Sequence, residues 1–520
     1  MLALMLLGIG LSLGIAPYQL DDAYITYRYA ANAVEGEGLV FNPGLEPVEG
    51  FSSPVWLLFL ALGALIFGIP SLPTLGMTLG LAGFILCYVA IYYSSERKGG
   101  ANTGSWILNI SDLLPALLIS VLPAAVFYAA TGMESLLFLA TVLFFFKAAS
   151  SDIPMKWGLI AGFLACWIRP EGTWFLPALI FLLLGRGELG KIKERRFLLL
   201  AGTVILGNIS LIIARLLVFK SLFPNTYFAK DPWLKAGWLY LGDTLSSSWV
   251  ILILVLAILG AWMGDKRHRG YFLAGSSWIA AVLIEGGDWM PAGRLLLPAF
   301  GLFLLASSGI LKGRSLPLLK KKKISIGRGI TFTVMVILLM GVFFNLKASL
   351  EIQKKAHLSH SHSAFLERVL ADWVSKSGAR SIGSADIGIM GFFPRIEMVD
   401  FAGLTDKVIG RSPGYHLEKQ FDLGYIFEKR KPDIILLRVI RQPLIYPSGR
   451  IVSQVKSAVE NRIMRHPCFR EKYHFLFAIL PSRPTRPYYG KLVFGRHNFR
   501  IEPEAVPPDR ILFISPKENL

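Results

Sequence analysis

The sequence predicts a polytopic α-helical membrane protein of about 11 spans, followed by a C-terminal extracytoplasmic α/β domain. Three observations indicate this fold class. Hydrophobic residues make up 53% of the chain and charged residues only 17%, and many apolar runs approach the ~20 residues that cross a bilayer. Basic residues gather between these runs, as in the cytoplasmic loops of membrane proteins. After about residue 350 the sequence becomes mixed and charged.

The apolar runs define the predicted spans. They lie near residues 2–19, 74–93, 111–130, 134–149, 157–168, 172–185, 197–219, 247–263, 271–285, 295–311 and 329–346. The first is predicted to be a retained span, because it lacks a basic N-terminal region and an acidic pair follows it. The runs 157–168 and 172–185 are short for a ~30 Å hydrocarbon layer. This favours broken helices that line a cavity open to the outer face, with a tilted hairpin as the alternative.

The basic residues predict the topology. Within residues 1–349, most of the Lys and Arg residues fall in four segments, 96–98, 186–196, 265–269 and 312–328. These segments share the cytoplasmic side only if the apolar stretch 54–69 does not cross the membrane. We therefore predict a large first outer loop over residues 20–70, an inner N-terminus and an outer C-terminus. Membrane orientation then explains most of the net charge of +19, and no nucleic-acid partner is predicted.

Two domains are predicted, a multi-span part over 1–349 and a soluble part over 350–520. In the second, Phe365 to Val374 has the apolar spacing of a helix. Short apolar runs at 381–383, 396–399 and 432–437 are typical of buried strands, and their alternation with helices predicts an α/β layer. This domain is expected either to grip a glycan acceptor or to act as a lid or partner surface.

Metal binding receives little support from the sequence. The three cysteines have no metal-ligand spacing and predict no disulfide framework. His357, His360 and His362 lie close together at the domain junction, where a solvated linker is favoured over a metal site. No cofactor is predicted, and the sequence leaves open whether a divalent cation takes part.

The strongest candidate for chemistry is the pair Asp21-Asp22, directly after the first apolar run. Ionisable residues at a membrane boundary are costly if they face hydrocarbon, and so they indicate a functional site. A carboxylate placed there can act as general base on an acceptor hydroxyl. Helix capping explains one aspartate but not both. We therefore predict that Asp21 or Asp22 is catalytic, without choosing between them.

Two candidates for substrate binding lie in neighbouring outer loops. Glu134 begins an apolar run, and it is equally well explained by a capping box with Thr131. Arg169 follows another run, where a turn that pairs it with Glu171 is the alternative.

Two further outer segments supply candidates. Asn225, Tyr227 and Lys230 fall in a turn-forming segment, in which Lys230 either binds a phosphate or reaches the interface as an anchor. Asp288, Trp289 and Arg294 follow a glycine pair. There the tryptophan offers a face for sugar stacking, and the arginine can neutralise a phosphate. An aromatic-belt role for the tryptophan is the alternative.

Three segments, Asp21 to Ala30, Gly38 to Gly44 and Val48 to Trp56, carry a family resemblance. With the candidate loops, in order, they resemble the GT-C superfamily of polyprenyl-phosphate-sugar-dependent glycosyltransferases. The branch they resemble contains the mycobacterial terminal β-arabinofuranosyltransferases. The resemblance implies a polyprenyl-phosphate-linked donor, carrying a pentose such as arabinofuranose or a hexose. It also implies an envelope glycan or glycolipid acceptor at the outer face, among membrane lipids, with Asp21 or Asp22 activating the acceptor hydroxyl.

Two other function classes compete with an enzyme. A lipid or sugar transporter would be expected to show charges midway through several spans and internal repeats. Neither pattern is evident. A non-catalytic envelope or flagellar motor assembly factor would work through residues 350–520.

Overall fold

The computed structural model describes most of the chain. The described residues are 2–16, 18–98, 101–105, 110–230, 234–312, 324–359, 364–440, 443–445, 451–452, 454–481, 490–497 and 511–514. Most of the predicted cytoplasmic segment 312–328, together with His360 and His362, therefore lies outside the described residues.

The N-terminal part is helical. Its α-helices are α1 (Leu2–Leu13), α2 (Asp21–Val34), α3 (Pro54–Phe67), α4 (Leu72–Tyr92), α5 (Ile110–Val121), α6 (Pro123–Ala130), α7 (Ser135–Ala149), α8 (Met155–Ile168), α9 (Phe175–Arg186), α10 (Arg195–Phe219), α11 (Asn225–Lys230), α12 (Leu234–Leu245), α13 (Ser248–Met263), α14 (Lys266–Glu285), α15 (Leu297–Ser307), α16 (Gly309–Lys312) and α17 (Ile324–Ser359). A hairpin of β1 (Ser94–Lys98) and β2 (Ala101–Ser105) follows α4.

Several apolar helices have the length of a membrane span. Within the described ranges, 4 helices are long and apolar enough to cross a membrane, or up to 6 if each of two bent pairs forms one span. The bend of 61° between α5 and α6 has a local cause. Leu122 precedes Pro123 and is extended, because proline disfavours the helical conformation of the residue before it. The larger number of spans remains a prediction.

Two predicted features concern short apolar helices. The helix α3 has 14 residues, fewer than the ~20 that cross a bilayer. That it does not cross the membrane remains a prediction. Between α8 and α9 the chain forms a 3₁₀ turn over Pro170–Trp174, where Arg169 is extended before the proline. The two predicted short spans are thus separate helices with a break between them.

The C-terminal part is a mixed α/β layer. Its helices are α18 (Phe365–Lys376), α19 (Gly388–Phe392), α20 (Lys407–Gly410), α21 (Ala458–Arg465) and α22 (Pro467–Lys472). Its strands are β3 (Ser381–Ser384), β4 (Glu397–Asp400), β5 (Ile434–Val439), β6 (Leu444–Ile445), β7 (Ile451–Val452), β8 (Tyr473–Pro481), β9 (Gly490–Arg496) and β10 (Ile511–Ile514).

Six of these strands form one sheet in the order β10-β8-β9-β5-β3-β4. The strand β3 pairs in parallel with β4 and β5, whereas β5, β9, β8 and β10 pair antiparallel. All six residues of β5 are buried, as its continuous apolar run predicts for a central strand. The sequence predicts the helix α18 and the strands β3, β4 and β5.

Helix α2 lies between the two parts of the chain. Ile25 and Tyr29 of α2 belong to the same apolar cluster as Leu370, Ile389 and Met390 of the C-terminal part. Ala23 and Tyr27 of the same helix belong to the apolar cluster of the N-terminal helices, so α2 packs against both parts.

Candidate active site

A cavity of about 440 Å³ opens where the predicted outer segments meet. It is lined by α2, residues 50–53, the turn after α6, the break between α8 and α9, the C-terminal half of α10, residues 222–230 and residues 284–295. Seven of the ten predicted site residues line it. These seven are Asp22, Glu134, Arg169, Tyr227, Lys230, Asp288 and Arg294.

The acidic pair is divided between two environments. The Asp22 side chain faces the cavity together with Ile25 and Thr26, which follow it by about one helical turn. The Asp21 carboxylate instead accepts hydrogen bonds from the backbone N–H groups of Gly388 (3.0 Å) and Ile389 (2.7 Å) in the C-terminal part. Neighbouring helical residues point ~100° apart, so one helix serves both contacts.

The Asp22 carboxylate differs from that of Asp21 in its contacts. Within the described part of the chain its carboxylate has no hydrogen-bond or ion-pair partner, although it is partly buried. Burial raises the pKa of the Asp22 carboxyl, and the positive charges of Lys230 and Arg294 oppose that rise. An unpaired carboxylate whose pKa is raised can accept a proton from a hydroxyl.

Glu134 and Arg169 form a buried network with Glu171. The Arg169 guanidinium donates to Glu134 through Nη1 (2.6 Å) and to both Glu171 oxygens, through Nε at 3.2 Å and through Nη2. The Arg169–Glu171 pair considered from the sequence is formed. The capping box of Thr131 and Glu134 is not, because the Glu134 side chain makes no cap hydrogen bond and points to Arg169 instead.

Asp288 and Arg294 form the second ion pair of the cavity. Asp288 Oδ2 accepts from Arg294 Nε (2.7 Å) and Nη2 (2.6 Å). Gly286 and Gly287 both have positive φ, 82° and 80°. This conformation, which glycine adopts readily, turns the chain sharply after α14 and places Asp288 at the cavity. Trp289 is 61% exposed and lines a separate cavity of about 560 Å³, which Asp288 also borders.

The segment 222–230 contributes to both the cavity and the domain contact. Tyr227 stacks on Phe223, with ring centroids 4.9 Å apart, and both line the cavity. Lys230 is exposed at the cavity and has no ion-pair partner among the described residues. Asn225 lies outside the lining, because its side-chain amide donates to the carbonyl oxygens of Gly403 (2.8 Å) and Leu404 (3.1 Å).

Arg215 is a cavity residue that the sequence reasoning did not single out. It lies on α10, one turn before its end, and its Nε donates to both carboxylate oxygens of Glu49 at 3.0 and 2.9 Å. Its Nη2 is buried and has no hydrogen-bond partner in the described structure. A lone arginine within an otherwise apolar run is the signal that could have found it, because such a charge is costly unless it has a function.

One side of the cavity is apolar and exposed. Leu222 is 52% exposed and Ile284 60% exposed, with Phe223 and Tyr227 beside them. The floor is charged, with Asp22, the two ion-paired groups and the cations already described. An exposed apolar rim beside a polar floor fits a ligand that has a lipid tail and a charged head.

No metal centre is evident in the described ranges. They contain no group of three or more His, Cys, Asp or Glu side chains placed to hold a metal ion.

Two solved structures resemble the whole architecture. ArnT from Cupriavidus metallidurans in the apo state has a TM-score of 0.50 and 12% identity, covering 84% of this chain and 92% of ArnT. The archaeal oligosaccharyltransferase AglB from Archaeoglobus fulgidus, in complex with an inhibitory peptide and a dolichol-phosphate, has a TM-score of 0.50 and 10% identity. That alignment covers 99% of this chain and 76% of AglB. Both neighbours belong to the GT-C superfamily.

The chain has the GT-C fold. The fold that the resemblance of the sequence motifs implies is thereby confirmed. A family model described as a domain of unknown function, DUF8728, matches residues 354–487, most of the C-terminal α/β part. No curated protein sequence matches the chain.

Proposed function

We propose that the chain is a membrane glycosyltransferase that moves a sugar from a polyprenyl-phosphate donor to an envelope glycan or glycolipid. One observation carries the proposal. The Asp22 carboxylate, which has no partner among the described residues, shares a single cavity with the exposed ammonium of Lys230, with Arg215 and its unpaired Nη2, and with an exposed apolar rim. A base, a phosphate site and a path for a lipid tail are together what such a transfer requires.

The cations are proposed to hold the donor phosphate. Arg169, Arg294 and Arg215 each pair with a carboxylate, but Arg215 keeps Nη2 without a hydrogen-bond partner in the described structure. Lys230 has no ion-pair partner among the described residues. Guanidinium and ammonium groups stabilise the negative charge that develops on a phosphate leaving group. The polyprenyl tail would leave the cavity over Leu222 and Phe223. AglB, which shares the fold, was solved with a dolichol-phosphate, a lipid of the same chemical class.

The reaction follows from these positions. Asp22 takes the proton of the acceptor hydroxyl as its oxygen bonds to the anomeric carbon of the donor sugar. The bond between that carbon and the phosphate oxygen breaks, and polyprenyl phosphate leaves with the electron pair. Holding the hydroxyl and the anomeric carbon together supplies much of the rate enhancement.

The identity of the sugar rests on the sequence motifs. Their resemblance to the terminal β-arabinofuranosyltransferases favours a pentose such as arabinofuranose, with a hexose as the alternative. The exposed ring of Tyr227 offers a stacking face for either. We also propose that the cavity and the C-terminal domain face the outside of a bacterial inner membrane, as the basic segments predict.

Loss of the gene should cause one polyprenyl-phosphate sugar to accumulate, because its consuming step is missing. Mass analysis of extracted lipids from cells lacking the gene would identify that lipid. Re-expression of the chain should clear it. Lipid profiles that are the same with and without the gene would contradict the proposal.

The acidic limb of the pH profile of kcat should depend on Lys230. Its charge lowers the pKa of Asp22, so Lys230→Ala raises that pKa further and leaves the base protonated up to a higher pH. The acidic limb of kcat should therefore move to higher pH, whereas Lys230→Arg, which keeps the charge, should leave it in place. Turnover measured across a pH series checks this. A limb that is unmoved in Lys230→Ala would argue against Asp22 as the titrating base.

A further inference from the structure

The C-terminal domain contacts one face of α2 through residues seven positions apart. Asp21 accepts from the N–H groups of Gly388 and Ile389, as described above. Arg28 donates from Nη1 to the Gly391 carbonyl (2.7 Å) and from Nη2 to the Ile396 carbonyl (2.8 Å). Seven residues are about two turns, so these two side chains lie on the same face of the helix.

Glu35 continues the same face, seven positions after Arg28, and forms an ion pair with Arg395. Tyr24 packs against the rings of Phe392 and Phe393, with centroids 5.7 and 5.5 Å away. The segment 388–396 therefore contacts α2 at both its ends and along its length.

The contact is fully buried at its centre. Arg28 is 2% exposed, and its remaining donors reach the Phe41 carbonyl (2.6 Å) and Asn42 Oδ1 (3.0 Å). A guanidinium is tolerated at this burial because its donors are satisfied, and removing the acceptors would leave a buried charge. The backbone of the C-terminal domain supplies two of these acceptors.

The cavity side of the same helix carries Asp22, Ile25 and Thr26. Because an α-helix turns as a rigid unit, a rotation that releases Asp21 from the C-terminal domain also redirects Asp22. The two adjacent carboxylates are thus mechanically linked while having different partners.

We propose that the C-terminal domain, which contains the region matched by the domain of unknown function, positions the catalytic helix, and that Asp21 is the positioning residue of that contact. This rests on the proposed function, in which Asp22 is the base. Asp21 does not touch the substrates. It fixes the angle at which α2 presents Asp22 to the acceptor hydroxyl. Transfer then requires the docked domain, because a displacement of ~1 Å costs on the order of 10²-fold in rate.

Substitutions on the two sides of the contact test the proposal in the full-length chain in lipid nanodiscs. Asp21→Ala removes the acceptor from the helix. Gly388→Ala acts from the domain, because a Cβ at that position would collide with the backbone of Asp21. Gly202→Ala is the control, since a Cβ there meets nothing within 4 Å. Three quantities are measured: amide exchange over residues 388–398, affinity for undecaprenyl phosphate, and turnover of the lipid-linked sugar isolated from cells lacking the gene.

Both contact variants should expose the amides of Gly388 and Ile389 to exchange and lower kcat by ~10²-fold. Their KM and their affinity for undecaprenyl phosphate should stay within about twofold of the unmodified chain, and Gly202→Ala should match it throughout. Asp22→Asn should lose turnover while the exchange of residues 388–398 stays slow.

Two results would overturn the positioning role. In one, Asp21→Ala loses turnover while residues 388–398 remain protected, which would place Asp21 in the chemistry itself. In the other, protection is lost and turnover is unchanged, which would make the docked domain dispensable. Turnover retained by Asp22→Asn would overturn the proposed function instead, while the exchange data would still decide whether Asp21 docks the domain.

Discussion

Asp22→Asn should abolish sugar transfer while leaving the chain folded. General base catalysis contributes ~10²- to ~10⁴-fold, so turnover should fall by at least ~10²-fold. Burial raises the pKa of Asp22, which means that the fold disfavours its ionised form. A neutral amide of the same shape should therefore cost no stability. Turnover of the accumulated lipid-linked sugar and thermal unfolding of the purified protein are the two measurements.

Asp372→Asn is the matched control for that variant. Asp372 is exposed on α18 and pairs with Lys376 one turn away, a surface contact that contributes little to stability. It should keep full turnover. Comparable turnover by Asp22→Asn and the unmodified chain would exclude Asp22 as the base.

Loss of the Arg215 guanidinium should weaken binding of the lipid phosphate by about tenfold to a hundredfold. That range corresponds to the ~1.5–3 kcal/mol of a hydrogen bond to a charged group. Arg215→Gln alone would leave Glu49 buried and unpaired, which destabilises the fold by ~3–5 kcal/mol. The double variant Glu49→Gln with Arg215→Gln removes both charges and should restore stability but not affinity.

Glu49→Gln alone leaves the buried Arg215 guanidinium charged and without its partner. It should therefore also destabilise the fold, whereas affinity for undecaprenyl phosphate should be kept or increased. Titration of the three variants in nanodiscs, with unfolding curves alongside, checks this. Equal affinity in the double variant and the unmodified chain would remove Arg215 from the phosphate site.

Local sequence patterns predicted a large share of the fold. Apolar runs predicted most of the helices, helical apolar spacing predicted α18, and short apolar runs predicted the strands β3, β4 and β5. The bend at Leu122 and the break at Arg169 both precede prolines, yet only the second was anticipated as an interruption. Span count and orientation depend on a bilayer, so charge remains their only guide.

Local sequence patterns did not predict the long-range contacts of the candidate site. Asp21 and Asp22 are equivalent in sequence, and the partner that separates them, Gly388, lies 367 residues further along the chain. Asn225 likewise contacts carbonyl groups of the C-terminal domain, 178 or more residues away. Arg215 was overlooked because its neighbours are apolar, and its partner Glu49 lies in a different predicted segment. Long-range pairing decided each of these positions.

The most direct test of the account is transfer by the purified full-length chain. The protein in nanodiscs would receive the polyprenyl-phosphate sugar isolated from cells lacking the gene, together with envelope extract as the acceptor. We predict that free polyprenyl phosphate is released in equal amount to newly glycosylated acceptor, and that Asp22→Asn produces neither. An intact donor lipid after incubation with the folded, unmodified protein would contradict the account.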